Sequence, residues 1–188
     1  MSNYHLIKPT SISDGIGVRV AIYLSGCNWH CKGCHNPETW DPKSGKPFTN
    51  ETLEELYNYL NHAYIAGITL TGGDPLNDCN LDIVNKIIEM VHERSSTFEG
   101  GRKDIWMYTG YKWEDIEKDS KLAYIAGLVD ILVDGQFIQE LRDISYPFAG
   151  STNQRVIDVA EYISYLNHYY KKPEKLPLFD SEKYYLRK

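Results

Sequence analysis

No stretch of the 188-residue sequence approaches the roughly 20 consecutive apolar residues needed to cross a bilayer. The first 20 residues hold no basic segment followed by an apolar core, so no secretory leader is expected. Long basic runs are missing too. With 20 Lys and Arg against 26 Asp and Glu the formal charge is −6, and nucleic acid is not expected as a direct partner. There is no internal repeat and no low-complexity tract. A chain of this length is most simply one domain that buries a core without disulfides or structural metal, so any metal it carries is expected to be functional. A reducing, cytoplasmic location follows from these absences.

Cysteine is scarce as well, with four in the chain, yet three of them fall within eight positions, Cys27-Asn28-Trp29-His30-Cys31-Lys32-Gly33-Cys34. Soft thiolates crowded so closely point to a metal or a cluster. A disulfide would use two of the three and wants an oxidising compartment. Cys31-Lys32-Gly33-Cys34-His35 fits the haem-attachment pattern, which belongs to exported proteins and leaves Cys27 unexplained. Zinc would need a fourth ligand such as His30, His35 or Cys79, and the usual second ligand pair is missing. Three thiolates can instead hold three irons of a cubane [4Fe–4S] cluster, leaving one iron open to a substrate or cofactor.

Hydrophobic periodicity places this loop. Val18 to Leu24 reads as a strand covered on both faces, delivering the cysteines at its C-terminal end. Residues 1–17 read as a lead-in with turn chemistry at Asp14-Gly15-Ile16-Gly17, and residues 36–48, with three prolines, as an irregular connection. Thr49 or Asn50 can cap a helix carrying Leu53, Leu56, Tyr57, Leu60 and Tyr64 on one face. Ile68–Thr71 is the next strand, stopped by Gly72-Gly73. A helix with Leu81, Val84, Ile88 and Val91 follows, then strand Ile105–Tyr108, weaker helical patterning over 113–127, strand Val129–Val133 and a fifth strand at Val156–Val159. Alternating strands and helices imply parallel pairing with the loops gathered at the C-terminal rim. A full eight-unit barrel needs about 250 residues. The expectation is therefore an α/β fold, an incomplete, laterally open barrel of about five or six mainly parallel strands, over residues 1–160, with 161–188 as a C-terminal extension.

The spacing C-x3-C-x2-C resembles the signature of radical S-adenosylmethionine enzymes. Gly72-Gly73-Asp74-Pro75, Trp106-Met107-Tyr108-Thr109-Gly110-Tyr111, Val133-Asp134-Gly135-Gln136-Phe137 and Gly150-Ser151-Thr152-Asn153-Gln154-Arg155 follow in order. Together these blocks resemble the family of anaerobic ribonucleoside-triphosphate reductase-activating proteins, from about residue 4 to 158. The resemblance implies a [4Fe–4S] cluster on Cys27, Cys31 and Cys34, whose open iron binds the methionine part of S-adenosylmethionine. It places Gly33, Cys34 and His35 near the adenosine. Gly72, Gly73 and Asp74 would receive the methionine amine; without the family they would read as a tight turn. Asp134 is a candidate acceptor for the ribose hydroxyls, or else a turn signal. Many relatives carry an aromatic residue at the position of Gly33, and glutamate where Asp74 stands.

The weaker candidates are Trp106, Tyr108, Asp130, Asn153 and Arg155, while Cys79 reads as a buried inert thiol. No catalytic side chain is implied beyond cluster and cofactor. The implied reaction cleaves S-adenosylmethionine reductively and takes hydrogen from a glycine of the reductase, with flavodoxin or ferredoxin as electron source. The alternatives are an activator of another glycyl-radical enzyme, and a non-catalytic iron–sulfur or zinc module.

Overall fold

A computed structural model describes residues 2–186. The elements run β1 (Asn3–Ser11), β2 (Val18–Leu24), β3 (Lys46–Pro47), α1 (Asn50–Leu60), β4 (Ile65–Gly72), α2 (Leu81–Glu93), β5 (Asp104–Tyr108), α3 (Trp113–Ile116), α4 (Ser120–Ala126), β6 (Ile131–Asp134), β7 (Arg155–Asp158), α5 (Val159–Tyr169) and α6 (Ser181–Leu186). The strands form one open sheet of seven in the order β3-β1-β2-β4-β5-β6-β7. It does not close into a barrel. Among the described residues no helix is long and apolar enough to cross a membrane.

The expectation of five or six mainly parallel strands needs correcting. Only β2-β4, β4-β5 and β5-β6 pair in parallel, while β1-β2, β1-β3 and β6-β7 are antiparallel. The reason is connection length and content. Parallel neighbours need a crossover, and α1, α2 and the α3–α4 pair supply three. Between β6 and β7 the chain makes only a short 3-10 turn at Gln139–Leu141, and it returns on the same rim, with Arg155 paired to Asp134. The lead-in segment is in fact β1, whose ladder with β2 is irregular between Lys8 and Ser11. Pro9, which has no N–H to donate, falls in that irregularity.

Strand alternation divides the core in two. One sheet face buries Val20, Ile22 and Leu24 of β2, Ile68 and Leu70 of β4, and Ile105 and Met107 of β5 against the helices. Leu56 and Leu60 of α1 and Val84, Ile87, Ile88 and Val91 of α2 meet them there. Each such side chain, fully buried, contributes about 1.5–3 kcal/mol before conformational entropy is subtracted. Tyr64, expected on the α1 stripe, lies beyond that helix and is exposed. Thr49 does cap α1, in a reciprocal box with Thr52. Val159, expected in the fifth strand, is instead the first residue of α5, which is capped by Asp158.

The opposite face carries a second cluster of Ile16, Trp106, Ile131 and Val133. Beside it Arg19 and Asp104 form a fully buried ion pair at 2.5 Å. Arg19 also donates to Thr69 Oγ1 at 2.9 Å and to the carbonyls of Ile16 and Ile68 at 3.1 and 2.9 Å. Those bonds offset the desolvation that makes an unaccompanied buried pair costly. The C-terminal segment reaches this face, where the Phe179 N–H donates to the Val156 carbonyl at 2.8 Å and the Phe179 ring stands 5.3 Å from that of Trp106.

Candidate functional site

Because β2, β4, β5 and β6 run in parallel, the loops that follow them meet on one rim. A cavity of about 210 Å³ opens there. The cysteine loop contributes Cys27, Cys31, Gly33, Cys34 and His35, and the β4 end contributes Gly72, Gly73 and Asp74. All of these were singled out in the sequence except that they could not be joined without the fold. Asp134, the remaining candidate, does not line the cavity, although the next residue, Gly135, does.

The three cysteines are free and half-buried. The loop starts from two backbone bonds, Gly26 N–H to the Thr39 carbonyl at 2.7 Å and Cys27 N–H to the Trp40 carbonyl at 3.0 Å. The proline-rich connection thus serves as a strap for the cysteine loop. Burial pushes the Cys27 thiol up to about 11, with the Trp29 backbone N–H pulling the other way. Iron coordination would override this, since a metal deprotonates its thiol outright. Among the described residues no three His, Cys, Asp or Glu side chains converge as a single ion such as zinc requires. A cubane spreads its ligands over separate irons, and three soft donors around one cavity fit that demand.

The glycine pair is held tightly to the sheet. Gly72 has a φ of +97°, and a Cβ there would lie 2.5 Å from the Tyr23 Cα. Gly73 and Asp74 donate their N–H groups to the carbonyls of Leu24 and Gly26 at 2.7 and 2.9 Å. The chain therefore turns into the cavity with no side chain in the way.

Asp74 is 2% exposed, and its carboxylate is surrounded by donors. Oδ1 accepts from the Leu76 N–H at 2.9 Å and Thr109 Oγ1 at 2.8 Å, and Oδ2 from the Gly110 N–H at 3.0 Å and Trp29 Nε1 at 2.5 Å. Burial raises its pKa, with the Leu76 and Gly110 N–H groups foremost among the opposing bonds.

Asp134 is equally buried but differently engaged. Its oxygens accept from Arg155 Nε at 3.0 Å, from an Arg155 terminal nitrogen at 2.5 Å and from the Trp113 N–H at 2.8 Å. Arg155 extends the network to Glu114, whose carboxyl its guanidinium holds down at about 2. Asp130, a weaker candidate, accepts from Arg102 and from the Ile105 N–H. Trp106 belongs to the second core cluster, whereas Tyr108 lines the cavity. Cys79 is half-buried and sits behind Gly26, where a Cβ would lie 2.4 Å from its sulfur.

The segment between β6 and β7 forms another wall. Gln136 Nε2 donates to the Trp29 carbonyl at 3.2 Å, and the Phe137 ring stands 6.2 Å from that of His35. Gln154, which also lines the cavity, donates from Nε2 to the Gly135 carbonyl at 2.9 Å. Asn153 supports this wall by donating to the Gln136 carbonyl at 2.8 Å. Trp29, Phe137 and Gln154 were not assigned a role from the sequence. Trp29 carried the one usable signal, an indole placed between two cysteines.

The family model described as a 4Fe-4S single cluster domain matches residues 13–157, which include the three-thiol loop and the sheet beneath it. This defines the class. Whole-chain comparison is more specific. The anaerobic ribonucleoside-triphosphate reductase-activating protein of Enterobacteria phage T4 is 39% identical over 154 residues, 82% of this chain and 92% of that one. The protein of that name from Escherichia coli K12 is 38% identical over 156 residues, 82% and 97% of the two chains. The one from Vibrio cholerae is 38% identical over 154 residues, 81% and 95%. The chain belongs to the family of anaerobic ribonucleoside-triphosphate reductase-activating proteins.

Proposed function

We propose that this chain activates an anaerobic ribonucleoside-triphosphate reductase as an iron–sulfur oxidoreductase. Cys27, Cys31 and Cys34 would hold a [4Fe–4S] cluster, and S-adenosylmethionine would occupy the adjoining cavity. The observation that carries this reading is that the three thiols share one cavity with Gly33, His35 and the Gly72-Gly73 turn. Its relatives are activating proteins of anaerobic ribonucleoside-triphosphate reductases, which supplies the partner.

A bound, reduced cluster would supply the electron for reductive cleavage of S-adenosylmethionine, the chemistry that would let hydrogen be taken from a partner glycine. The chain's own residues bind, orient and exclude water. Gly33, Cys34 and His35, which line the cavity, would face the adenosine. Gly72 and Gly73 would offer backbone carbonyls to the methionine amine, whose N–H groups need acceptors. Tyr108 and Phe137 keep the surroundings of the reacting bond apolar. Asp134, taken up by Arg155 and Trp113, holds the rim in shape. A flavodoxin or ferredoxin is the proposed electron donor.

Anaerobically prepared protein should contain iron and sulfide and, once reduced, should convert S-adenosylmethionine to methionine and 5′-deoxyadenosine. Co-incubation with the reductase should then give a glycyl radical there and not in a glycyl-radical lyase. Cys31→Ala should abolish cofactor cleavage. Unchanged cleavage in that variant would show that the ligand set is wrong.

A further inference from the structure

Between Cys27 and Cys34 the cluster loop reaches the buried rim through a side chain that is not a thiol. The bonds of Gly26 and Cys27 to the 39–40 strap fix only the start of the loop, the bond from Cys34 N–H to the Cys31 carbonyl is internal to it, and the one from Gln136 Nε2 to the Trp29 carbonyl at 3.2 Å ties it to the β6–β7 segment rather than to the β4 turn. The Lys32–Glu140 pair is solvent-exposed at both ends, where such pairs contribute little. Trp29, by contrast, drives its indole N–H onto Asp74 at 2.5 Å, against a carboxylate only 2% exposed. The indole also packs edge-on to Tyr111, with ring centroids 5.0 Å apart.

The sheet rim is cut to receive that indole. A Cβ on Gly110 would lie 2.4 Å from Trp29 Nε1, so a side chain there would expel the ring. Among the described residues no cation is paired with Asp74, so neutral donors from the β4 turn, the β5 turn and the cysteine loop share its charge. Its two oxygens have inward partners, which argues against the direct contact with methionine that its place beside Gly72-Gly73 suggests.

We propose that Asp74 and Trp29 form a latch, two positioning residues that set where Cys31 and Cys34 stand relative to the sheet. This rests on the reading that the loop holds a cluster. A carboxylate accepting an N–H at the low-dielectric rim makes a strong bond, and it spans 45 residues of sequence. One loop thereby takes its position from the turn that would receive the cofactor. Cluster geometry and the cofactor turn are then a single rigid unit.

Trp29→Phe keeps an aromatic ring and removes the donor. Thr109→Val takes a different donor from the same carboxylate and leaves the cysteine loop attached. In anaerobically loaded, full-length protein, Trp29→Phe should speed hydrogen exchange of amides 27–35 by about tenfold, the loss expected for a bond to a charged group. It should also shift the reduction potential of the cluster, while Thr109→Val leaves loop exchange as in the wild type. Asp74→Asn should reproduce the Trp29→Phe pattern. Wild-type exchange and potential in Trp29→Phe, or equal loosening by Thr109→Val, would overturn the latch. Failure of the wild-type cluster to respond to S-adenosylmethionine would sink the functional reading instead, and the exchange comparison would still stand.

Discussion

Asp74 and Asp134 occupy parallel places on one rim, the first just after β4 and the second closing β6, each within one residue or two of glycine, and they are 2% and 1% exposed. Their company differs. Asp74 collects uncharged N–H and O–H donors from three loops that bound the cavity, whereas Asp134 is matched by the Arg155 guanidinium and does not line it. A buried carboxylate whose charge is cancelled by a neighbouring cation is spent on architecture. One whose charge is shared among neutral donors from separate loops ties those loops together and keeps its field at the site.

Substitution at each should therefore fail in a different way. The largest effect on stability is expected from Asp134→Ala, which leaves Arg155 and the Trp113 N–H without their acceptor. Breaking a buried pair costs about 3–5 kcal/mol, and the partial exposure of Arg155 brings this to about 2–3 kcal/mol. Denaturant unfolding should show that loss, with iron content per folded chain unchanged. A variant that unfolds normally and loses its iron would reverse the assigned roles of the two aspartates.

Asp74→Asn should cost less stability, about 1–3 kcal/mol from one mispaired buried amide, and do more at the site. Cofactor cleavage should fall at least about tenfold, the equivalent of 1.4 kcal/mol in the barrier. Cleavage at the wild-type rate would break the contrast. Arg155→Lys gives up the planar fork that spans Asp134 and Glu114. It should lower unfolding stability by about 1 kcal/mol and leave cleavage alone.

The smallest effect is a pH dependence. Glu114 is held at about 2 in the folded chain, against an ordinary value of 4.5. Its contribution is present above the ordinary value and lost as pH falls toward about 2. Because the group is mostly exposed, the effect is small. The difference in unfolding midpoint between wild type and Glu114→Gln should shrink across that acid range. A constant difference would mean that the Arg155 pairing adds nothing at Glu114.

Much of this rim was legible in the sequence, because glycines and cysteines placed directly after apolar β-rich runs have few other uses. β2, β4, β5 and β6 and the loops after them were readable for that reason. β1 was not, since its polar, proline-bearing stretch Asn3–Ser11 is half exposed and shows no clean alternation. The antiparallel direction of β7 depends on a return path without a helix, which periodicity does not report. The division between the two aspartates was also hidden. In the chain each is a carboxylate beside glycine, and only the fold brings Arg155 to one and Trp29, from 45 residues away, to the other. Local patterns announce where a loop begins, but long-range partners decide what its charge does.

The proposed cubane on Cys27, Cys31 and Cys34, with its remaining iron open to S-adenosylmethionine, stands or falls on one spectrum. The most direct measurement is the electron paramagnetic resonance spectrum of the anaerobically reduced protein, recorded with and without that cofactor. A cluster signal whose shape changes on addition is expected. A protein holding only zinc, or a cluster signal indifferent to the cofactor, would contradict it.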